Sequence, residues 1–370
     1  MPDRIAVAMS GGVDSSTAAW LLQQEGHDLA GVMLKMFDGA LTGGDREAGR
    51  PPDGAEDARA VAGKLGIPFQ VLDARAPFRA HVLDTFASAY ERGLTPNPCV
   101  VCNRYVKFGF LLQRALALGW DKVATGHYAR LELDRGSGRW LLKKAAHPEK
   151  DQSYVLAGLN QEQLSRSLFP LGSLSKEEVR SIAAQAGLLN AKKGDSQDIC
   201  FIPDGDYGSF LRRYTGKSYP SGPFLDENGA VLGSHTGIID YTLGQRRGLG
   251  VSSSRGRLYV KEVRPQDNTV VLSGNDSLYN STLTAEDLNL IACDRLSGSV
   301  RLRAKVRYRM AEQPCTVEQT GPGTIRLTFD QPQRAITPGQ SVVLYDGDTV
   351  VGGATIAPDP SQIRKELPDP

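Results

Sequence analysis

Long apolar runs and a strong imbalance of charge are both missing from this sequence. No stretch approaches the roughly 20 apolar residues of a membrane-spanning helix, so we expect no membrane partner. The opening segment, MPDRIAVAMSGG, has no basic stretch followed by an apolar one, so it does not resemble a secretion signal and we expect a cytoplasmic protein. The formal net charge is only +1, so any nucleic-acid site must come from local clustering of cations.

Cysteine is also scarce, with five residues among 370. The odd count and a reducing compartment disfavour structural disulfides. Cys99 and Cys102 stand three positions apart in TPNPCVVCNRYVKFG, and Cys200 lies in KKGDSQDICF. Cys293 and Cys315 are expected to be ordinary buried thiols.

The other three thiols allow several interpretations. A closed zinc site needs four ligands, so His127 would have to join the three thiols. A reactive thiol pair needs thiolates, which form where a helix N-terminus lowers the pKa; Cys102 directly precedes a predicted helix. Cys200 follows Lys192 and Lys193, which could make its surroundings electropositive. An iron–sulfur site or simple burial stays open, but thiol chemistry is favoured.

Strand and helix patterns alternate over the first 200 residues, which predicts an N-terminal α/β, doubly wound, Rossmann-like domain. After about residue 205, short alternating segments separated by glycine and proline predict two smaller β-rich domains, the last a β-barrel. The predicted strands of the first domain are 4–9, 29–34, 69–73 and 122–126, and its predicted helices are 15–26, 55–65, 78–92, 103–118 and 175–187. The predicted divisions are 1–204 for the catalytic domain, 205–280 for the central domain, 281–357 for the barrel and 358–370 for a flexible tail.

The segment SGGVDSS, residues 10–16, lies between the first predicted strand and helix. Gly11 and Gly12 lack a Cβ, so the chain can turn sharply and bring N–H groups close to an anion at the helix start. Asp14 could hold a Mg²⁺ ion that bridges phosphates. The segment has no lysine and does not match GxxxxGK[ST], so transfer of a γ-phosphoryl group is disfavoured. It resembles the pyrophosphate loop of ATP pyrophosphatases, which cleave ATP between the α and β phosphates and adenylate a substrate.

Seven segments together resemble the bacterial tRNA-specific 2-thiouridylases. They are SGGVDSS, TPNPCVVCNRYVKFG, ATGHYAR, KDQSYVL, AKKGDSQDICFI, YTLGQRRGLG and TPGQSVVLY, in that order. The first segment alone is shared by several ligases and synthetases, whereas the cysteine segments, KDQSYVL and TLGQRRGLG are more specific. The resemblance implies an adenine nucleotide alpha hydrolase-like catalytic domain. It also implies a tRNA-uridine 2-sulfurtransferase that acts on the wobble uridine 34 of tRNAs for Lys, Glu and Gln.

The resemblance implies adenylation of the uridine O2 by ATP, followed by sulfur transfer. Cys200 aligns with the cysteine that carries a persulfide from a sulfur-relay protein, and its terminal sulfur attacks C2. Cys102 aligns with the second thiol, which attacks the persulfide and leaves a Cys102–Cys200 disulfide. The implied cofactors are ATP and Mg²⁺. The implied ATP-binding residues are Ala8, Met9, Ser10, Gly11, Gly12, Val13, Asp14, Ser15, Leu34 and Gly126.

The resemblance also implies residues that face the RNA. Those at the target base are Asn97, Pro98 and Cys99, and those at the rest of the tRNA are His127, Lys150, Asp151, Gln152, Arg307, Tyr308 and Gln340. Cys99 departs from the family pattern, which has an aspartate here, and Leu34 replaces a methionine. Cys99, Cys102 and Cys200 could therefore hold a [4Fe–4S] cluster with one open iron that binds sulfide, as an alternative to the persulfide.

The segment RLRAKVRYR, residues 301–309, places a cation at every second position. On one strand these side chains would share a face about 26 Å long, and we expect that face to contact tRNA phosphates. The cations are Arg301, Arg303, Lys305, Arg307 and Arg309. Two other functions stay open: an ATP-pyrophosphatase ligase with a zinc site on the three thiols, and a non-catalytic RNA-binding protein with structural ATP.

Overall fold

Three β-sheets organise the chain, which a computed structural model describes over residues 2–42, 54–191, 199–251 and 256–359. The strands are β1 (Arg4–Ala8), β2 (Asp28–Lys35), β3 (Phe69–Asp73), β4 (Lys122–Ala124), β5 (Ala129–Asp134), β6 (Arg139–Lys144), β7 (Ser167–Leu168), β8 (Gly222–Leu225), β9 (Val231–His235), β10 (Tyr259–Arg264), β11 (Thr269–Ser273), β12 (Tyr279–Leu290), β13 (Ser299–Lys305), β14 (Gln313–Gly321), β15 (Thr324–Arg334), β16 (Ser341–Asp346) and β17 (Thr349–Ile356). The α-helices are α1 (Val13–Gln24), α2 (Ala55–Leu65), α3 (Arg75–Phe78), α4 (Asp84–Glu91), α5 (Pro98–Val101), α6 (Leu111–Ala117), α7 (Ser153–Leu156), α8 (Gln161–Ser165), α9 (Lys176–Gln185) and α10 (Tyr207–Thr215). Short 3₁₀ turns lie at Gly39–Thr42, Pro148–Lys150, Ile238–Asp240 and Asn275–Leu278.

The first sheet is parallel, with the strand order β3-β2-β1-β4-β7. Ile5 and Val7 of the central strand β1 pack with α1 and α2 on one face. Ala6 packs on the other face with residues of α6. These helices on both faces confirm the predicted Rossmann-like domain. The strand order reverses direction at β1, and in such sheets ligands bind beyond the carboxyl ends of the strands at this switch point.

Two continuous helices contain π-wound segments. One runs through α3, the π segment Arg79–Leu83 and α4; the other runs through α5, the π segment Cys102–Phe110 and α6. We call the second, residues 98–117, the cysteine helix. Asn97 caps its start, because its Oδ1 accepts from the N–H groups of Cys99 and Val100 at 3.2 and 3.3 Å. The π winding marks this helix for attention, since such segments are frequent at functional sites.

The C-terminal part forms a closed six-stranded antiparallel barrel, in the order β12-β15-β14-β13-β16-β17, with β17 pairing back to β12. The central region forms a separate four-stranded sheet, β10-β11-β8-β9. Both findings confirm the two predicted β-rich domains, the last a barrel. An unpredicted hairpin, β5–β6, extends the barrel sheet: it lies in the first 204 residues of the chain but pairs with β17 through Lys143 and Thr349. Of the predicted tail, residues 360–370 lie outside the described part of the chain.

Candidate active site

The turn that follows β1, residues 9–12, carries the predicted phosphate-binding backbone, and we call it the nucleotide turn. Met9 N–H donates to the Val32 carbonyl at 2.8 Å, which holds the turn to β2. Gly11 has φ of +74°, and Gly12 is the N-cap of α1. Within the described ranges, the N–H groups of Gly12, Val13 and Asp14 have no hydrogen-bond partner. Unpaired N–H groups at the positive end of a helix dipole form an anion site.

Two glycines let other segments approach this turn. A Cβ on Gly11 would lie 2.3 Å from the Gly54 carbonyl oxygen, and a Cβ on Gly126 would lie 2.7 Å from the Ser15 backbone nitrogen. Gly126 follows β4, the neighbour of β1 in the sheet, so its backbone lines the same switch point. A side chain at either position would fill the space beside the helix start.

Lys176, which the sequence analysis did not single out, lies beside this turn. Its ammonium group donates to both carboxylate oxygens of Asp14, at 2.7 and 2.9 Å, and Tyr128 donates its hydroxyl to Asp14 at 2.7 Å. The Lys176 side chain is only 8% exposed. Asp14 is therefore already neutralised by a buried cation, and this pairing does not fit the predicted role of Asp14 as a Mg²⁺ ligand. The turn has no lysine of its own, but the fold brings one from the first turn of α9.

The three thiols of interest come together from distant parts of the sequence. Cys102 is buried in the cysteine helix with its Sγ 4.0 Å from the Met36 Sδ, whereas Cys99 and Cys200 are exposed as residues. Although Cys200 is exposed as a whole residue, desolvation of its thiol raises the pKa of Cys200 to about 12, and the charges of Cys102 and Cys99 add to that effect while Lys107 opposes it. Cys102 packs in one hydrophobic cluster with Phe201, the residue after Cys200, and Cys99 lies one helical turn before Cys102, so the three cysteines lie in neighbouring segments.

The predicted lowering of the Cys102 pKa by a helix N-terminus is wrong. The helix begins at Pro98, so Cys102 lies in its second turn, away from the unpaired N–H groups. Burial raises the pKa of Cys102 to about 11, with Lys107 opposing and Cys99 adding to the increase. Both Cys102 and Cys200 are therefore protonated at neutral pH. The predicted influence of Lys192 and Lys193 on Cys200 concerns residues outside the described part of the chain.

The thiols are not arranged as a metal site. Within residues 2–42, 54–191, 199–251 and 256–359, no group of three or more His, Cys, Asp or Glu side chains is placed to hold a metal ion. Neither the predicted zinc site nor a [4Fe–4S] cluster on Cys99, Cys102 and Cys200 fits this arrangement, so we derive no step through either.

His127, the fourth ligand of the predicted zinc site, is committed elsewhere. Its Nδ1 lies 2.7 Å from the Thr125 hydroxyl, and its ring packs against Phe108 and Phe169 with centroids 6.1 Å from each. Burial holds the pKa of His127 well below its usual value, so the ring is neutral. A contact between this side chain and tRNA would require this packing to open.

The segment predicted to face the target base is held against the barrel. Gln340 donates its side-chain amide to the carbonyl oxygens of Thr95 and Pro96, at 2.9 and 3.2 Å. Thr95 N–H in turn donates to the Pro338 carbonyl at 2.9 Å. The backbone immediately before Asn97 is thereby fixed by the β15–β16 loop.

Tyr308 supplies an exposed aromatic face near the same segment. Its residue surface is 39% exposed, and its ring centroid lies 5.7 Å from that of the buried Tyr154. The Tyr308 hydroxyl donates to the Asp151 carbonyl at 3.3 Å, and burial raises the pKa of this phenol. Exposed aromatic rings are surfaces on which unstacked RNA bases stack.

Comparisons with known proteins bear on this combination of turn, thiols and exposed aromatic ring. Residues 3–204 match a family model described as the tRNA methyl transferase HUP domain, 208–274 its PRC-barrel domain, and 280–356 an aminomethyltransferase beta-barrel domain. A protein of Clostridioides difficile (strain 630) named tRNA-specific 2-thiouridylase MnmA is 45% identical over 96% of this chain and 98% of its own length. A protein of the same name from Lachnoclostridium phytofermentans is 46% identical over 95% of this chain and 99% of its own length. The chain belongs to the tRNA-specific 2-thiouridylase family.

A weaker likeness links the chain to a solved structure described as the U34-tRNA thiolase NcsA from Methanococcus maripaludis with its [4Fe-4S] cluster. The identity is 19%, the coverage is 58% of this chain and 72% of that one, and the TM-score is 0.34. At that score the likeness carries no argument about the cluster.

Among the described residues of this 2-thiouridylase family member, no helix is long and apolar enough to span a bilayer.

The cationic segment of this family member does not form the predicted five-residue face. β13 ends at Lys305, so Arg307 and Arg309 lie past the strand. The prediction is wrong because the strand is shorter than the alternating pattern. The cations that do lie on β13 also form ion pairs with carboxylates of the protein itself. The pairs are Arg301 with Asp330, Arg303 with Glu312, and Lys305 with Asp151 and Glu312.

Arg307 connects the central region to the barrel. Its Nη2 donates to the carbonyls of Leu243 and Ala335 and to the Thr337 hydroxyl, at 3.2, 2.8 and 2.5 Å. Its Nε is buried without a hydrogen-bond partner in the described part of the chain. Much of the hydrogen-bonding capacity of the Arg307 guanidinium is therefore taken up by contacts within the protein.

The segment 150–152 also serves the fold. The Asp151 carboxylate accepts from the Ala145 and Ser153 N–H groups, and the Gln152 side chain accepts from Tyr128 N–H at 2.9 Å. Lys150 ends a 3₁₀ turn. These contacts place the segment between the nucleotide turn and the barrel, and its predicted contact with tRNA stays a prediction.

Proposed function

We propose that this chain catalyses the ATP-dependent 2-thiolation of the wobble uridine 34 in tRNAs for Lys, Glu and Gln. The observation that carries the proposal is that one strand connects the two halves of the site. The Val32 carbonyl of β2 holds Met9 at the nucleotide turn, and Met36, just past the end of β2, contacts Cys102. Four residues of extended chain span about 13 Å, so the nucleotide turn and the thiols serve one reaction centre.

The nucleotide half binds ATP through the residues named above, from Ala8 to Ser15 with Leu34 and Gly126. The unpaired N–H groups at the start of α1 donate hydrogen bonds to phosphate oxygens, and Lys176 supplies positive charge at the same turn. Adenylation forms a bond between the uridine O2 and the α-phosphorus and breaks the α–β bridge, so pyrophosphate leaves. A Mg²⁺ ion that arrives with ATP would supply charge neutralisation of the phosphates.

The sulfur half uses Cys200 and Cys102 in turn. A persulfide on Cys200, delivered by a sulfur-relay protein, attacks C2 through its terminal sulfur and displaces AMP. Cys102 then loses its thiol proton to solvent and attacks Cys200 Sγ, which forms the Cys102–Cys200 disulfide, breaks the persulfide S–S bond and leaves the terminal sulfur on C2. A two-electron reductant must restore the two thiols. Cys99 is a neighbour of both, next to the base, and takes no step in this scheme.

The barrel positions the tRNA. Asn97, Pro98 and Cys99 face the target base in this proposal. The tRNA-contacting residues carried into the proposal are His127, Lys150, Asp151, Gln152, Arg307, Tyr308 and Gln340. Domain boundaries at residues 204, 280 and 357, and a cytoplasmic location, belong to the same proposal.

One experiment separates the sulfur routes. The protein is purified without oxygen, analysed for iron and acid-labile sulfide, and assayed for 2-thiouridine with either a persulfide donor or inorganic sulfide. We expect little iron and thiolation from the persulfide donor. Stoichiometric iron together with thiolation from inorganic sulfide would overturn the persulfide route. Absence of pyrophosphate release when both ATP and tRNA are supplied would overturn the proposed function itself.

A further inference from the structure

Asn190 contacts the nucleotide turn from a distant part of the chain. It follows α9 and is only 5% exposed. Its side-chain Nδ2 donates to the Gly11 carbonyl at 3.2 Å and to the Ser16 hydroxyl at 2.8 Å. The direction of the amide is fixed by the first of these contacts, because a carbonyl oxygen can only accept a hydrogen bond.

The contact with Gly11 controls the direction of the next N–H group. The Gly11 carbonyl and the Gly12 N–H belong to one planar trans peptide group and point in opposite directions. Glycines flank this peptide on both sides, so no Cβ restricts its rotation. A donor that holds the Gly11 carbonyl on the Asn190 side therefore holds the Gly12 N–H on the opposite side.

The following carbonyl is held in the same network. Gly12 accepts hydrogen bonds from the Ser15 and Ser16 hydroxyls, at 3.2 and 3.0 Å, and Ser16 is itself bonded to Asn190. The Gly12 carbonyl shares its peptide group with the Val13 N–H, which lacks a partner in the described residues. The N–H groups of Gly12 and Val13 are thus oriented by hydrogen bonds to the carbonyls of the same two peptide groups.

The acceptor end of the Asn190 amide takes no part in this network. Its Oδ1 is buried and has no hydrogen-bond partner in the described part of the chain. A buried acceptor without a partner destabilises a folded protein. Among the described residues, the hydrogen bonds of the Asn190 amide are therefore those of its donor group, which acts on the turn.

We propose that Asn190 is a positioning residue of the ATP site, which aims the Gly12 and Val13 N–H groups at the phosphates by holding the carbonyls of the Gly11–Gly12 segment. The inference rests on the proposed ATP-dependent function. It concerns the phosphates alone and not the adenine or ribose.

The test compares ATP and adenosine as ligands of the full-length protein by calorimetry. We expect Asn190→Ala to weaken ATP binding roughly tenfold, because the hydrogen bond that orients the Gly11 carbonyl is lost, while adenosine binding is unchanged. Asn190→Asp keeps the volume but turns an acceptor toward the Gly11 carbonyl and adds negative charge, so it should weaken ATP binding more than alanine does. If Asn190→Ala does not fold, the isosteric aspartate variant carries the same comparison.

Asn103→Ala is the matched control. Asn103 is also a buried amide that donates to a backbone carbonyl, that of Val155 at 2.9 Å, and its Oδ1 also lacks a partner among the described residues. We expect this variant to lose thermal stability but to keep its ATP affinity. Equal ATP affinity in wild type and both Asn190 variants, or an equal loss for ATP and adenosine, would overturn the inference. Wild-type protein that binds no ATP would instead overturn the proposed function.

Discussion

The nucleotide turn and the three cysteines Cys99, Cys102 and Cys200 differ in how far each is prepared for its reaction before any substrate binds. At the turn, hydrogen bonds to the peptide carbonyls already orient the N–H groups. The Asp14 carboxylate is already paired with the Lys176 ammonium group. At the thiols, Cys102 and Cys200 are protonated and no metal-holding geometry exists among the described residues. In the proposed reaction, ATP would therefore meet a preorganised site, whereas the sulfur chemistry would depend on groups that arrive with the persulfide and the tRNA.

The largest expected effect separates the two halves. Cys200→Ser should abolish 2-thiouridine formation but leave tRNA-dependent pyrophosphate release largely intact, because no thiol takes part in adenylation. Both products are measured on the same samples. Cys293→Ser is the matched control and should keep both activities. Cys293 packs against the barrel core, away from the other three cysteines. Normal thiolation by the Cys200 variant would contradict the persulfide assignment.

Replacement of Lys176 tests whether the nucleotide turn is preorganised for ATP. Lys176→Met should lower kcat/KM for ATP by about 100-fold, since hydrogen bonds to charged groups contribute up to about 3 kcal/mol. The single variant also leaves Asp14 without its cation, so its melting temperature should fall. The double variant Asp14→Asn, Lys176→Met should recover stability but not pyrophosphate release. Recovery of both would show that the ion pair serves only the fold.

The thiol half should show its resting protonation state directly. Because burial raises the pKa values of Cys102 and Cys200 to about 11 and 12, alkylation by iodoacetamide should still accelerate between pH 8 and 10. The direction in which the free energy of unfolding changes with pH follows from the same pKa values. The native state holds these protons above the ordinary thiol pKa of 9.0, so the free energy of unfolding should decrease as pH rises from 9 toward 11. A labelling pKa below 8 for Cys200 in the free protein would contradict this account.

The smallest expected effect concerns the contact between the barrel and the target-base segment. Gln340→Ala removes two hydrogen bonds to the backbone before Asn97, so the KM for tRNA should rise roughly fivefold with ATP affinity unchanged. Gln319→Ala is the control, because Gln319 donates to a carbonyl of its own hairpin, that of Gly321. A change in ATP affinity with Gln340→Ala would show that the two halves are coupled through this segment.

The parallel sheet and the barrel were predictable because their strands are short apolar or alternating runs bounded by turn residues. The capping box of α9 was predictable for a similar local reason, and Ser175 and Glu178 form it. The helix predicted over residues 103–118 in fact begins at Pro98, five residues earlier, with Asn97 as its N-cap. Asn97 followed by proline is an ordinary helix start, so the local signal was present.

The partners of the nucleotide turn could not be predicted in the same way. Lys176 and Asn190 lie more than 150 residues after Asp14, and no spacing rule connects them to it. The cationic pattern at 301–309 was misleading because alternation continued past the point where β13 ends. Local patterns identify elements, but contacts between them depend on the tertiary fold.

The β5–β6 hairpin has a consequence for how the protein is made. During synthesis this hairpin emerges about 200 residues before β17, the barrel strand it pairs with through Lys143 and Thr349. Until then the ribosome-bound chain carries a strand edge whose partner does not yet exist, and such edges invite association between chains. A fragment that ends before the barrel would keep that edge open permanently. Division of the gene at the apparent domain boundary should therefore yield an N-terminal half that aggregates.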